Sequence, residues 1–344
     1  MADLFPRPPL QLLRDPLPES IPDTVDAFLE RLGGPTVISL CGQSSARCRA
    51  VVTLLHGNEP SGTRAIFDYL KSGARPRVNT LFIIASVKTA LTPPRFSHRM
   101  LPGRRDLNRC FQPPFEDAEG KLAEAILDIL QQANPECLID IHNTSGSGPA
   151  FAVSVCGDAN HKALTSLFTN DLIVTDLRLG ALMELSEMQV PTVTIECGGA
   201  HDTPAQIIAR EGLHRYLDTE QVLATPDTNY QVTIFRNPIR LETAVNGKVS
   251  YSDTPDPQAL ITMPEQAEKF NYGTLTRDEA IAFLGEPGLA ALSAKDHEGN
   301  ERLEEFFVAR EGRLYPRHAM KVFMVTTNPD IAASDCLFYF IACE

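Results

Sequence analysis

Polar residues that could bind a metal ion or transfer a proton stand at the ends of three apolar stretches. His56 and Glu59 follow AVVTLL, His142 follows CLIDI, and Glu196 follows VPTVTI. Two histidines and one carboxylate are a recurrent ligand set of catalytic zinc sites, in which a fourth position stays open for water. A further glutamate that does not bind the metal can take a proton from that water. This inventory predicts His56, Glu59 and His142 as ligands of one zinc ion per chain, and Glu196 as the base.

The apolar stretches that precede these residues indicate short buried strands, and helical segments separate them. The strand-like runs are PTVISL, AVVTLL, NTLFIIASV, CLIDI, FAVSV and VPTVTIE, and helical runs such as TRAIFDYLKSG and KLAEAILDILQQANP lie between them. This alternation predicts an α/β domain with a mixed, mostly parallel sheet flanked by helices. Ligands of open α/β sheets bind outside the carboxyl ends of the strands. We therefore expect the three polar segments to meet at one site.

Two other regions differ from this pattern. Residues 1–20 are rich in proline and predict an irregular arm, and the α/β pattern ends near residue 220. In residues 221–344, the runs YQVTIFRNPIRLE, GKVSYSD and LYPRHAMKVFMVTT are short, β-like and separated by Gly, Asn, Asp and Pro. This pattern of short β-like runs and turn residues predicts a smaller β-rich C-terminal domain that follows a catalytic domain of residues 1–220.

A long polar loop, residues 91–114, contains the sequence RRDLNRCF at residues 104–111. Together, the segments HGNEPSG, DLNR, DIHNT and TIECGG, in this order, resemble the succinylglutamate desuccinylase/aspartoacylase family. That family is a branch of the zinc-carboxypeptidase-like hydrolases. The resemblance covers roughly residues 35–215. It implies a carboxypeptidase-like α/β fold, zinc-dependent hydrolysis of an amide bond and a smaller C-terminal β domain.

The resemblance also implies roles for individual residues. His56, Glu59 and His142 would bind zinc, and Glu196 would activate water for attack on an amide carbonyl. Asp106, in DLNR, would accept a hydrogen bond from the second ring nitrogen of His56 and so fix its orientation. The next two polar residues of DLNR, Asn108 and Arg109, would hold the carboxylate of the substrate, a task that suits the paired donors of a guanidinium.

The family resemblance further implies an arginine, a few residues before DLNR, that stabilises the oxyanion formed from the carbonyl. The segment RMLPGRRDLNR offers Arg99, Arg104 and Arg105 for this role. We favour Arg99, because the other two adjoin the turn that supports the zinc ligand.

The sequence departs from the aspartoacylase-like pattern at two places. An arginine that contacts the substrate side chain would precede the base by about ten positions, where this chain has Ser186, with Arg178 further upstream. A tyrosine from the C-terminal domain has its nearest counterpart in Tyr315. The acyl group and the amino acid of the substrate therefore stay open.

The composition argues against some classes of partner. Asp plus Glu number 44 and Lys plus Arg 31, which gives a formal net charge of −13. Nucleic acids and anionic membranes attract clustered Lys and Arg, so we expect neither as a partner, whereas a small-molecule carboxylate is compatible with this balance. The N-terminal segment lacks the continuous apolar stretch of a signal peptide, and the eight cysteines form no CxxC pair, which predicts a cytoplasmic protein with reduced thiols. The sequence leaves homo-oligomer formation open.

These observations predict a zinc-dependent hydrolase that cleaves the amide bond of an N-acyl amino acid or a related small carboxylate. A zinc carboxypeptidase acting on short or modified peptides is an alternative, because it would use the same metal, base and arginine. A non-catalytic protein that binds a metal and a carboxylate is a second alternative. The presence of Glu196 in addition to Glu59 argues against it, because a binding protein needs no base.

Overall fold

The computed structural model describes residues 4–188, 190–226, 228–334 and 336–343. The chain divides into two compact units. The first, here called the α/β unit, comprises the chain up to Asn143 together with Ala150–Ile234. The second, the β unit, comprises Thr144–Pro149 and the chain from Phe235 onward. The short segment that follows His142 and Asn143 thus groups with the C-terminal part of the chain.

The α/β unit is built around a sheet of nine strands, of which only the last residue of β5 and the last two residues of β9 group with the β unit. In chain order these are β1 (Gln11–Arg14), β2 (Thr36–Leu40), β3 (Ser44–Thr53), β4 (Val78–Ile84), β5 (Leu138–Thr144), β6 (Phe151–Ser154), β7 (Asp171–Val174), β8 (Thr192–Gly199) and β9 (Thr233–Arg236). They lie side by side in the order β1-β2-β4-β3-β5-β8-β6-β7-β9. The pairs β1–β2, β3–β4, β3–β5 and β6–β7 are parallel, whereas β2–β4 and β6–β8 are antiparallel. The expected mixed, mostly parallel sheet is confirmed.

Helices cover both faces of this sheet. They are α1 (Val25–Leu32), α2 (Ser61–Ser72), α3 (Val87–Leu91), α4 (Ala118–Ala133), α5 (Ala159–Ser166) and α6 (Thr203–Asp218). Because side chains alternate along a strand, Val51 of β3 joins a hydrophobic core with α1, α2 and α6, whereas Ala50 and Val52 join another core with α4. Burial on both faces explains the apolar runs within the central strands. In the described ranges, no helix is long and apolar enough to cross a membrane.

The N-terminal arm is not irregular throughout, contrary to the expectation for residues 1–20. Residues 1–3 lie outside the described residues, but Gln11–Arg14 form β1 and pair in parallel with residues 36–39 of β2. β1 has four residues and lies at the edge of the sheet. A strand this short, next to prolines, has too few residues to display a period of two, so its sequence resembles that of a loop.

The β unit contains two five-stranded sheets, as expected for a β-rich C-terminal region. Its strands are β10 (Ile239–Thr243), β11 (Lys248–Tyr251), β12 (Ala259–Met263), β13 (Thr274–Leu275), β14 (Ala282–Leu284), β15 (Leu292–Lys295), β16 (Phe307–Arg310), β17 (Arg313–Pro316), β18 (Met320–Phe323) and β19 (Phe338–Ala342), with the short helices α7 (Leu303–Phe306) and α8 (Pro329–Ser334). Aromatic rings fill its core, among them Phe307 and Phe340, whose centroids lie 5.0 Å apart. Tyr315 lies on β17, with the guanidinium carbon of Arg310 5.3 Å from its ring centroid.

Candidate metal centre and active site

The strands that lead to the proposed ligands and base are neighbours in the sheet, in the order β3-β5-β8. His56 lies just beyond β3, and Glu59 lies just before α2. His142 and Glu196 lie inside β5 and β8, which continue for a few residues beyond the apolar stretches. Three segments that are far apart in sequence therefore reach one end of three adjacent strands.

The turn between His56 and Glu59 fits tightly against the long loop. The Gly57 amide donates a hydrogen bond to the Arg99 carbonyl, with a length of 3.0 Å. A Cβ atom at Gly57 would lie 2.5 Å from Cγ2 of Thr89 and 2.7 Å from the carbonyl oxygen of His98. Only glycine fits there without a shift of its neighbours, because such distances are far inside van der Waals contact. This turn aims both side chains at the same point.

The three predicted ligands form one buried cluster. Nδ1 of His56 lies 2.8 Å from Oε1 of Glu59, and Nδ1 of His142 lies 2.7 Å from its Oε2. One ligand atom from each residue lies within 4.8 Å of the others. None of the three residues is more than 5% exposed. Two imidazole nitrogens and a carboxylate converging in this way fit a divalent transition metal ion.

A second carboxylate orients each imidazole from behind. Nε2 of His56 lies 2.9 Å from Oδ1 of Asp106, as the family resemblance implied. Nε2 of His142 lies 2.7 Å from Oδ2 of Asp140, a residue that the sequence analysis missed. A proton held on Nε2 leaves Nδ1 of each ring free to bind a metal. The D-x-H spacing on a strand could have identified Asp140, because side chains two residues apart point to the same face.

The charges within this cluster complement one another. Burial alone would raise the pKa of the Glu59 carboxyl, but the charges of His56 and His142 and their hydrogen bonds hold it well below its usual range. Burial would lower the pKa of His142, but the carboxylates of Asp140 and Glu59 hold it well above its usual range. The pKa of Asp106 lies below its usual range, because the hydrogen bond from His56 and nearby positive charges outweigh the effect of burial. Positive charge between these carboxylates is thus strongly favoured.

Glu196 differs from the other carboxylates of the site. It is half-buried, and no described residue donates a hydrogen bond to its carboxylate. Burial raises the pKa of its carboxyl to about 7, a shift that the positive charge of His142 partly opposes. A carboxyl group with a pKa near neutrality and no fixed partner is suited to accept and release protons.

Of the three candidate arginines, Arg99 is the one at the cluster. Its Nη2 donates to Oδ2 of Asp106 over 2.8 Å, and its Nη1 lies 3.5 Å from Oε1 of Glu59. Arg104 and Arg105 instead pair with carboxylates at the beginning of α4. The structure therefore places the favoured arginine beside the proposed metal ligands and directs the other two elsewhere.

Comparison with known proteins identifies the family. Residues 50–218 match the model described as the succinylglutamate desuccinylase/aspartoacylase catalytic domain. The matched residues make up most of the α/β unit, as the family resemblance implied. A comparison with curated proteins found no match.

Solved structures share the fold of the family across most of the chain. A succinylglutamate desuccinylase/aspartoacylase from Rhodobacter sphaeroides is 13% identical, with a TM-score of 0.58 over 90% of this chain and 88% of that one. The product-bound ectoine utilization protein EutE (DoeB) from Ruegeria pomeroyi is 16% identical, with a TM-score of 0.59 over 90% and 88%. A mutant of murine aminoacylase 3 is 16% identical, with a TM-score of 0.51 over 87% and 95%. The expected carboxypeptidase-like α/β fold is therefore confirmed.

The DLNR turn is held by a neighbouring segment that the sequence analysis missed. Oδ1 of Asn108 accepts a 3.0 Å hydrogen bond from the Leu182 amide, which fixes the orientation of its side-chain amide. Gly180 has φ 76°, and a Cβ atom there would lie 2.9 Å from the carbonyl oxygen of Arg109. Glu184 accepts hydrogen bonds from the amides on either side of Gly180. No sequence motif marked this segment, because its role depends on tertiary packing.

The residues at the position of the expected side-chain arginine have other partners. Oγ of Ser186 lies 3.0 Å from Nε2 of His161 and also bonds to the backbone of Thr192. Nη2 of Arg178 lies 2.6 Å from Oε1 of Glu187. Ser186 is therefore part of the scaffold, and the charge of Arg178 is matched by a carboxylate. In this respect the chain differs from the aspartoacylase-like pattern.

Proposed function

We propose that this protein is a zinc-dependent hydrolase that cleaves the amide bond of an N-acyl amino acid or a related small carboxylate. The observation that carries the proposal is the buried cluster of His56, Glu59 and His142, with the carboxylate of Glu196 beside it, to which no described residue donates a hydrogen bond. The match of residues 50–218 to the succinylglutamate desuccinylase/aspartoacylase catalytic domain supports it. So do fold neighbours whose names include a desuccinylase and an aminoacylase.

His56, Glu59 and His142 would hold the zinc ion through Nδ1, a carboxylate oxygen and Nδ1. A bound zinc ion supplies Lewis acidity, which polarises a carbonyl group and makes water a nucleophile near neutral pH. Asp106 and Asp140 keep the two imidazoles in the tautomer and orientation that this requires.

Glu196 would move the proton during hydrolysis. Its carboxylate accepts a proton from the attacking water, whose oxygen forms the new bond to the acyl carbon. The same carboxyl then donates that proton to the amide nitrogen as the carbon–nitrogen bond breaks, which releases an amine and a carboxylic acid. The absence of a described hydrogen-bond donor to Glu196 leaves the group free for both transfers.

Three residues of the long loop would act on the substrate. Arg99 lies within 3.5 Å of Glu59, so its positive charge is close to the place where negative charge develops on the carbonyl oxygen. Asn108, through Nδ2, and Arg109, through its guanidinium, would hold the substrate carboxylate. Holding the carboxylate at a fixed distance from the ligands would bring the amide bond to the base.

The test uses the whole protein, stripped with a chelator and assayed with and without added zinc. A panel of N-acyl amino acids is compared with dipeptides that carry the same C-terminal residues. We expect zinc to restore hydrolysis of acyl amino acids with little turnover of dipeptides. Faster hydrolysis of dipeptides would support the carboxypeptidase alternative, and tight carboxylate binding without any product would support the non-catalytic one. If zinc restores no hydrolysis, the proposal is wrong.

A further inference from the structure

Asn143, directly after the proposed ligand His142, makes an unusual set of hydrogen bonds. Its Oδ1 accepts from the Ser61 amide over 3.1 Å, and its Nδ2 donates to Oγ of Ser61 over 2.8 Å and to the Gly198 carbonyl over 2.9 Å. Its own amide lies 3.3 Å from Oε2 of Glu59, which accepts this hydrogen bond. Asn143 is 3% exposed, so water does not compete for these bonds.

These bonds join three segments that carry site residues. Ser61 is two residues after Glu59, and Gly198 is two residues after Glu196. Asn143 itself adjoins His142. Its side chain therefore fixes the positions of the proposed ligands Glu59 and His142 relative to the proposed base, Glu196. No other polar side chain among the residues described above bonds to the segments of both Glu59 and Glu196.

The start of α2 depends on the same side chain. Pro60 precedes the helix and provides no side-chain hydrogen bond to its first turn. The amides of a first helical turn have no partner within the helix and need an acceptor from elsewhere. Oδ1 of Asn143 supplies that acceptor from β5 for Ser61. The direction in which the chain leaves Glu59 is therefore set by a residue of the adjacent strand.

We propose that Asn143 is a positioning residue for the metal centre, which sets the distance of Glu59 and Glu196 from His142 and thereby tunes metal affinity and turnover. This inference rests on the proposed function and goes beyond it. A purely structural role would lower stability alone. A positioning role also changes how tightly the metal is held, because a displaced ligand can no longer meet the other two.

Asn79 provides a matched control. It is an asparagine of similar burial, 5% exposed, that accepts from the Gly42 amide over 3.0 Å and donates to the Ser45 carbonyl over 3.2 Å. It lies at the beginning of β4, whereas the site lies at the carboxyl ends of the strands. Loss of its side chain removes comparable hydrogen bonds far from the ligands.

The experiment compares Asn143→Ala, Asn143→Asp and Asn79→Ala in the full chain. Zinc affinity is measured by competition with a chelator, kcat and KM with an N-acyl amino acid, and stability by thermal unfolding of the metal-free protein. We expect both Asn143 variants to lose about 10–100-fold in zinc affinity, the range found when groups that orient metal ligands are removed. We also expect kcat to fall more than KM rises. Asn79→Ala should lower only the unfolding temperature.

If an Asn143 variant does not fold, Ser61→Ala tests the same contact, because it removes one acceptor and keeps the bond to Gly198. One lost hydrogen bond corresponds to about a fivefold loss of zinc affinity. Equal zinc affinity in wild type and in every folded variant at residues 61 and 143 would overturn the inference while leaving the proposed function intact. A wild-type protein that does not bind zinc would instead contradict the proposed function itself.

Discussion

Among the described residues, the α/β unit contains two clusters in which a carboxylate contacts a buried histidine, and they differ in how many of their polar atoms already have a hydrogen-bond partner. In the candidate metal centre, Asp106 and Asp140 occupy Nε2 of each imidazole, and both Nδ1 atoms face Glu59. Glu196 stands beside them with no described hydrogen-bond donor. The two Nδ1 atoms and the carboxylates of Glu59 and Glu196 therefore converge on one place, where they could bind an additional ion or ligand.

In the second cluster, Asp158, His161 and Ser186 form a chain that resembles a catalytic triad. Nδ1 of His161 lies 2.8 Å from Asp158, and Nε2 lies 3.0 Å from Oγ of Ser186. That Oγ also donates to the Thr192 carbonyl and accepts from the Thr192 amide. Every polar atom of the imidazole and of the hydroxyl has a partner within the protein.

The difference shows why residue types and distances alone are a poor guide to catalysis. A nucleophile or base needs polar atoms that are not already engaged in hydrogen bonds within the fold, whereas the hydroxyl of Ser186 is fully hydrogen-bonded. The second cluster connects α5 to the beginning of β8, and so it supports the strand that carries Glu196. The two clusters make opposite predictions for similar substitutions.

The largest effect is expected for Glu196→Gln. Glutamine cannot take the proton from water, so kcat should fall about 10²–10⁴-fold, the usual contribution of general acid–base catalysis. Zinc affinity should stay close to that of the wild type, because Glu196 is not among the three ligands. The measurement is steady-state kinetics together with zinc competition. Full turnover by this variant would show that another group acts as the base.

Asp140→Asn should weaken zinc binding by about 10–100-fold, because the charge that orients His142 is lost. The matched change in the second cluster is Asp158→Asn, which alters a carboxylate–imidazole contact of nearly the same length, 2.8 Å against 2.7 Å. It should leave zinc affinity unchanged. Equal zinc affinities for the two variants would remove the distinction between the clusters.

The pH dependence should follow Glu196. The raised pKa of about 7 means that the metal-free carboxyl is half protonated at neutrality, and the base is active only when deprotonated. Hydrolysis should therefore fall as pH decreases, and the positive charge of bound zinc should move this fall below pH ~7. Carboxyl NMR of the protein with and without zinc measures the shift directly. An unchanged Glu196 signal on zinc binding would contradict its placement beside the metal.

The same pKa predicts how stability changes with pH in the metal-free protein. Because the folded pKa is raised above the ordinary 4.5, the folded state binds more protons between pH 4.5 and about 7. The contribution of Glu196 to stability is therefore fully present below pH 4.5 and is lost as pH rises through about 7. Glu196→Gln should remove that part of the dependence, as chemical denaturation over this pH range would detect.

A smaller effect is expected for Gly180→Ala, which tests the segment that holds the DLNR turn. The added methyl would press on the Arg109 carbonyl at 2.9 Å, in a backbone conformation with φ 76°. Strain of about 1 kcal/mol that displaces Arg109 corresponds to about a fivefold rise in KM, with kcat less affected. Gly312→Ala is the control, because its φ is 72° and no atom lies within 4 Å of the added Cβ. A KM equal to that of the control would mean that Gly180 does not position Arg109.

The smallest effect on activity is expected for Ser186→Ala. It removes the partner of His161 Nε2 and of the Thr192 amide, which should cost about 1–3 kcal/mol of stability, whereas the Thr192 carbonyl keeps its hydrogen bond from Oγ of Ser154. With the protein kept below its unfolding temperature, kcat/KM should match the wild type. A loss of activity as large as that of Glu196→Gln would make the second cluster catalytic and break the comparison.

Much of the site could be predicted from sequence because its residues follow apolar strands. His56, His142 and Glu196 each follow a run that must be buried, and the carboxyl ends of such strands form one edge of a sheet. Asp140 was equally visible, since it lies two residues before His142 on the same strand face, but it stands within the apolar run and was counted as part of it. The apolar pattern therefore predicted the strand, but it did not distinguish Asp140 from the apolar residues around it.

The remaining features depend on contacts between distant segments. The hydrogen bonds of Asn143 to Ser61 and Gly198 follow from the order β3-β5-β8, which local periodicity does not specify. The support that Gly180 and Glu184 give to DLNR likewise has no local pattern. β1 was missed for a different reason, because its stability comes from pairing with β2 at the sheet edge and its own sequence is too short to indicate a strand.

The grouping of Thr144–Pro149 with the β unit has a consequence for the order in which the protein can fold on the ribosome. The Ser147 carbonyl accepts a 3.0 Å hydrogen bond from Nδ2 of Asn271, which is synthesised 124 residues later. The segment directly after His142 and Asn143 therefore waits for its partner until most of the chain has been made. A product that stops after the α/β unit would contain every proposed ligand and the base, yet the loop that follows the second histidine would lack the side chain that holds it.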